Sequence, residues 1–162
     1  MSYVTRVLQP GERVLHDTSL HWVVFARAIA AAIICLGFVI AAASVASNQM
    51  QYLSLALWIA AAIFGLLALS AGLRAFIRRA TTEFAVTDHR VIYKTGLFGR
   101  HTLEMNRSKI ESVDVDQSIP GRLLGYGTVI VRGTGGSLEP IRYIADPLGF
   151  RTRITVGDYS RA

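Results

Sequence analysis

The hydrophobic pattern of this chain changes character once, near residue 80. Upstream, apolar residues run almost without interruption, and residues 52–73 (YLSLALWIAAAIFGLLALSAGL) carry no charge. As a helix rising ~1.5 Å per residue this stretch is roughly 33 Å long, enough to cross a hydrocarbon core of ~30 Å. Arg74, Arg78 and Arg79 follow it. A second apolar run precedes it over residues 22–46, and its charge-free core, 28–46, makes roughly 28 Å of helix. Two membrane helices are predicted, over 22–46 and 52–73, joined by residues 47–51 (SNQMQ). So short a connection is tight and antiparallel, so the helices form a hairpin.

Downstream the period falls to two. Residues 82–87 alternate, with Phe84 and Val86 on one face, and further strands are expected over 90–94, 101–105, 110–117, 127–132 and 139–144. A short strand is also expected near residues 12–17. Gly96 and Gly99 bracket Leu97 and Phe98 in a loop whose tip is a possible apolar contact. Asp146 and Pro147 supply an N-cap and a first helical residue, and the helix to residue 156 carries Leu148, Phe150 and Ile154 before Gly157 stops it. Short, turn-bounded strands followed by one helix predict a small antiparallel barrel or sandwich, with the helix plugging its open end.

Charge assigns an orientation. The net charge is +6, but residues 1–79 hold six Lys/Arg against two acids and residues 80–162 hold eleven against nine. The basic excess therefore lies beside the apolar runs, which favours an anionic leaflet as partner and gives no support for nucleic-acid binding. Arg6, Arg13 and Arg27 flank one end of the hairpin and Arg74, Arg78 and Arg79 the other, while the connection has neither Lys nor Arg. The positive-inside rule then puts both termini in the cytoplasm and Asn48 outside. Arg27, near Trp22, reads as an interfacial arginine that snorkels to the headgroups, with a functional intramembrane charge as the alternative. The apolar run starts too late, and is followed too soon by another, for a cleaved signal peptide.

Small residues mark a packing surface. Ala61, Gly65, Ala68 and Gly72 recur every four, three and four positions, and Gly37, Ala41 and Ser44 form a shorter equivalent in the first helix. Such stripes let helices approach closely in lipid, either within the hairpin or against another protein. No catalytic constellation accompanies them. His16, His21, His89 and His101 share no metal-ligand spacing with each other or with Cys35. Ser112, Asp114 and Asp116 read as one solvated strand face. The GTGG segment at 133–136 lacks a P-loop lysine. No enzyme, cofactor, metal or small-molecule substrate is expected.

Four motifs together resemble a known family: VTDHRV at residues 86–91, KTGLFGR at 94–100, IESVDVDQS at 110–118 and GRLLGYGTVIVRGTGG at 121–136. With the GERVL approach at 11–15 and the preceding hairpin, the chain is similar to the bacterial pleckstrin-homology-like (PH-like) membrane proteins of the DUF304, or YdbS-like, type. The resemblance implies an all-β PH-like barrel or sandwich capped by a C-terminal helix, beside two transmembrane helices. The resulting partition is an N-terminal cytoplasmic segment (1–21), the two helices and their connection, a basic linker (74–80), the PH-like domain (81–157) and a tail (158–162). The family implies a bacterial inner-membrane location. The turn at Asp88, His89 and Arg90 lacks the Lys/Arg cluster of phosphoinositide-binding PH domains. The expected function is a membrane-anchored interaction or scaffold module. It would be an accessory subunit beside another integral membrane protein, or a homo-oligomer. The alternative is a sensor of anionic lipid headgroups working through Arg27, Arg74, Arg78 and Arg79.

Overall fold

The computed structural model describes residues 4, 7–45, 51–96, 99, 101–134, 136–137 and 140–156. Arg6, residues 46–50 of the first helix end and the hairpin connection, the loop pair Leu97 and Phe98, and the tail lie outside the described residues. The chain divides into two compact units, Val24–Ile77 and a second made of Met1–Val23 with Arg78–Ala162.

The first unit is the hairpin. A short 3-10 turn, Trp22–Phe25, leads into α1, Ala26–Val45, and α2 covers Gln51–Thr81. Helix α2 continues through Arg74, Arg78 and Arg79 because nothing in residues 74–80 breaks a helix; alanine and arginine are among the best helix formers. Both helices are long and apolar enough to cross a membrane, yet only 6% of each apolar window is buried. A core helix of a water-soluble protein would be mostly covered, so these faces require lipid or a partner.

Among the described residues, the second unit has eight strands in two antiparallel sheets. Strands β1 (Val14–Thr18), β2 (Glu83–Thr87), β3 (Arg90–Thr95) and β4 (His101–Asn106) pair in that order. Strands β5 (Ile110–Asp116), β6 (Tyr126–Gly133) and β7 (Gly136–Ser137) form the other sheet, with β8 (Ile141–Ala145) also on β6. A capped helix absent from the sequence expectation, α3 (Ile119–Leu124), links β5 to β6, and α4 (Pro147–Val156) follows β8. Strand β1 precedes the hairpin in the chain but pairs with β2 beyond it, Asp17 opposite Ala85 and Thr18 opposite Phe84.

The expected barrel is not present: among the described residues, neither sheet closes on itself. Alternating hydrophobicity tells which face of a strand is buried, but a barrel also needs an unbroken ladder between its first and last strands. Here the chain leaves the first sheet through a 3-10 turn, Arg107–Lys109. The one bridge from the segment after β1 to β8, Leu20 to Ile144, is too short to make a ladder. Helix α4 consequently does not plug a barrel. It packs against β1, β5 and β6, across both sheets. Pro147, Phe150 and Ile154 are buried, the last two one turn apart, whereas Leu148 is exposed. Phe150 meets Phe84 edge-on, 6.5 Å between ring centroids, and Phe84 stacks on Tyr93 at 4.6 Å. Strand β2 is buried from Phe84 to Thr87, on both faces rather than one. Part of its cover is the N-terminal segment, where Val4 is buried and its N–H reaches Glu83 Oε2 (3.4 Å).

Candidate functional site

Within the hairpin, the less exposed positions of α1 include Ala28, Ala31, Cys35, Phe38 and Ala42, and those of α2 include Ala61, Phe64, Ala68, Ala71 and Ala75. Spacings that alternate between three and four describe a left-handed coiled-coil seam. A Cβ on Gly65 would lie 3.5 Å from Cys35 Sγ, and one on Gly72 3.7 Å from Ala28 Cβ, so both glycines face α1. Cys35 donates to the Ala61 carbonyl at 3.1 Å, and Phe38 and Phe64 meet at 5.5 Å. Gly37 looks onto open space, Ser44 is exposed with its hydroxyl on the Ala41 carbonyl (2.8 Å), and Ala41 is half-buried. Beside the seam an apolar groove of about 580 Å³ is lined by Ala28, Ala32, Ala68 and Gly72 with Phe25 and Phe76 among its larger walls.

In the β unit, two of the motifs meet in one ion-pair network. Gly11, at φ 89°, turns the chain so that Glu12 points under the β2–β3 turn. Its carboxylate accepts from Thr87 Oγ1 (2.7 Å), from Arg90 Nε and Nη2 (3.0 and 2.8 Å) and from the Gln9 N–H (2.8 Å). Arg90 also reaches Glu104 (2.6 Å) and the Val7 carbonyl (2.8 Å). The Glu12 side chain is 2% exposed. Burial pushes its pKa up, but the hydrogen bonds and charge of Arg90, with those of Gln9 and Thr87, outweigh burial and hold it at about 2. This network is a latch that fastens the segment before the hairpin to the domain after it. Its groups are all engaged with each other, and nothing in it is placed to receive a ligand.

A recess elsewhere in the unit has the geometry of a binding site. Strand β5 pairs with β6 alone, so its other edge is free among the described residues. Five consecutive β5 residues, from Ile110 to Asp114, line a groove of about 570 Å³ whose opposite wall carries Arg151, Ile154 and Thr155 of α4. Consecutive residues point alternately to the two faces of a strand, so it is the edge, with its backbone N–H and C=O groups, that faces the groove. Arg107 also lines the groove: its guanidinium donates to the Arg153 and Ile154 carbonyls, capping the last turn of α4, and to the Thr87 carbonyl. Asp114 is paired with Arg132 (3.0 Å). The groove holds cations and carboxylates in balance, which suits a polypeptide better than a polyanion.

The remaining predicted positions are dispersed. Arg27 is exposed in the hairpin, and Arg74 donates from Nε and Nη2 to the Ser70 carbonyl and hydroxyl of its own helix, both at 3.1 Å. Arg78 lies over the Tyr143 ring at 5.8 Å. No cluster of three or more His, Cys, Asp or Glu capable of holding a metal occurs among the described residues. Helix α3 had a signal in the chain: Ser118 as N-cap, Pro120 beside it and Gly125 as a left-handed C-cap at φ 75°. The β5 groove had none, because α4 approaches β5 only in the folded unit.

The glycine-rich motif follows from the same packing. A Cβ on Gly121 would lie 2.6 Å from the Tyr126 carbonyl oxygen, and one on Gly133 would collide with the Lys109 carbonyl. The family model described as Bacterial PH domain matches residues 19–155. Searches of curated proteins and of solved structures each found no match. With its matched span covering the hairpin, strands β2 to β8 and nearly all of α4, the chain belongs to the bacterial PH domain family, a non-catalytic scaffold family.

Proposed function

We propose that this protein is a membrane-anchored interaction module. On this reading it holds an extended segment of another membrane protein along the free edge of β5, as an accessory subunit of a larger assembly. Family membership and the two long apolar helices support a membrane-associated interaction module. The observation that carries the finer reading is the unpaired β5 edge facing α4 across an open groove. An added strand would draw affinity from main-chain hydrogen bonds and selectivity from alternate side chains. The hairpin would raise the effective concentration of a partner held in the same membrane, and the apolar groove at Ala68 and Gly72 offers room for one of its helices.

Pairing of β1 with β2, on either side of the hairpin in sequence, supports both helix ends emerging on one side of the membrane. The arginine distribution favours the cytoplasmic side of a bacterial inner membrane. The headgroup-sensor reading has less support, since Arg74 is engaged with Ser70 of its own helix.

The test is site-specific photo-crosslinking in intact cells. A photoreactive residue at Ser112, on β5, and one at Thr155, on α4, are expected to capture the same partner, and one at Thr102 on β4 to capture none. An adduct of twice the chain mass identifies a second copy; a different mass identifies a heterologous subunit. No adduct from either wall of the groove would sink the proposal.

A further inference from the structure

Helix α3 turns its apolar residues outward. Ile119 and Leu123, one turn apart, are 85% and 87% exposed, and Leu124 is 44% exposed. Its inward residue is Gly121, too close to the Tyr126 carbonyl for any side chain. A helix on an ordinary wet surface has the opposite arrangement. Nor is this turn loosely held: Ser118 Oγ accepts from the Gly121 N–H (3.2 Å), and Gly125, in the left-handed region, returns its N–H to the Gly121 carbonyl.

What covers this face follows from its neighbours. His21 lies against the Leu124 backbone, and its ring is 5.4 Å from Tyr126 and 5.4 Å from Trp22. Tyr126 meets Tyr143 at 6.1 Å, and Arg78 lies over Tyr143. Tyr143 holds φ 65°, a conformation that a bulky aromatic keeps only where the surroundings impose it. Trp22 stands at the start of the first apolar stretch, and Arg78 just past the end of the second. Tryptophan, tyrosine and arginine are the residues that sit at headgroup depth.

The geometry points to α3 as a membrane hook: Ile119 and Leu123 insert into the acyl boundary of an anionic leaflet, with the Arg78, Arg79 and Arg122 cations among its headgroups. Continuity with Trp22 and Arg78, and the sign of those charges, select the leaflet over a protein as occupant. The hook does not depend on the groove between β5 and α4; either can fail alone.

The test uses the full chain with Cys35→Ala, carrying Leu123→Cys or, as a control on exposed β4, Thr102→Cys. Each is labelled with an environment-sensitive fluorophore and reconstituted into vesicles containing phosphatidylglycerol. The Leu123 label is expected to emit blue-shifted light, to be quenched by a nitroxide placed shallow in the acyl chains and to be shielded from aqueous iodide. The Thr102 label is expected to behave oppositely. Adding Ile119→Glu, at a position that is almost fully exposed, is expected to red-shift the Leu123 label. Iodide access equal at the two sites would overturn the proposal. So would shielding that vanishes as protein is diluted in lipid, since that would mean a second copy covers the face.

Discussion

The hairpin and the β unit are held together by opposite kinds of contact. In the hairpin, a repeat of three and four brings Ala61, Phe64 and Ala68 onto one seam with Cys35 and Phe38, and most of each apolar window stays uncovered. Its order comes from local helix geometry and from the solvent it requires. The β unit depends on partners far apart in the chain: Glu12 on Thr87 and Arg90, Val7 on Arg90, and Arg107 on Ile154. A change in the first should stay local. One in the second should propagate through both sheets.

The sharpest way to break that contrast is Phe150→Ala. Phe150 is fully buried between the sheets, and its loss should cost about 3–5 kcal/mol. Thermal melting in detergent should show the β signal collapsing at lower temperature while the helical signal and carbonate-resistant membrane retention persist. If both fail together, the two regions are not independent.

Next comes Glu12→Gln, which leaves Arg90 with its main counter-charge removed in a buried site. A loss of about 3 kcal/mol is expected, read as a lower melting temperature and faster proteolysis of the β unit. The same carboxylate sets a pH dependence. Its pKa falls from the ordinary 4.5 to about 2 on folding, so the folded state binds its proton less readily than the unfolded one. Its contribution, about 3 kcal/mol at most, is fully present above pH 4.5 and is lost as pH falls through 2. The difference in stability between wild type and Glu12→Gln should therefore shrink across that window. A difference independent of pH would remove the latch as its cause.

The smallest effect is expected in the hairpin. The Cβ of Gly65→Ala would meet Cys35 Sγ at 3.5 Å, an ordinary contact. With no clash, alanine's better helix propensity should leave the hairpin unchanged or up to about 1 kcal/mol more stable. Thermal unfolding followed by the helical signal would check this, and a clear loss would mean that the seam is tighter than its geometry implies.

Most elements can be read from the chain. The two apolar helices follow from the absence of charge, and strands β2 to β6 from period-two alternation. Helix α4 follows from Asp146 and Pro147, with Phe150 and Ile154 inward but Leu148 exposed. What cannot be read is how the strands join. Alternation around Phe84 and Val86 does not reveal that Ala85 and Thr87 are buried too, or that β1, from before the hairpin, lies beside β2. Ser112 and Asp114 look like one solvated face in the sequence; they line a groove only because α4 lies across from β5.

By itself, then, the sequence determined the class of this protein. Uncharged stretches long enough for a bilayer, arginines at their outer ends and short alternating strands follow from composition and period, which are local properties. Only the tertiary structure decided that the sheets stay open, that Glu12 and Arg90 latch the first segment to the last, and that β5 keeps a free edge facing α4. Each of these depends on which backbone edge or buried charge meets which, across 75 or more residues in the case of the latch. A one-dimensional pattern does not carry that information.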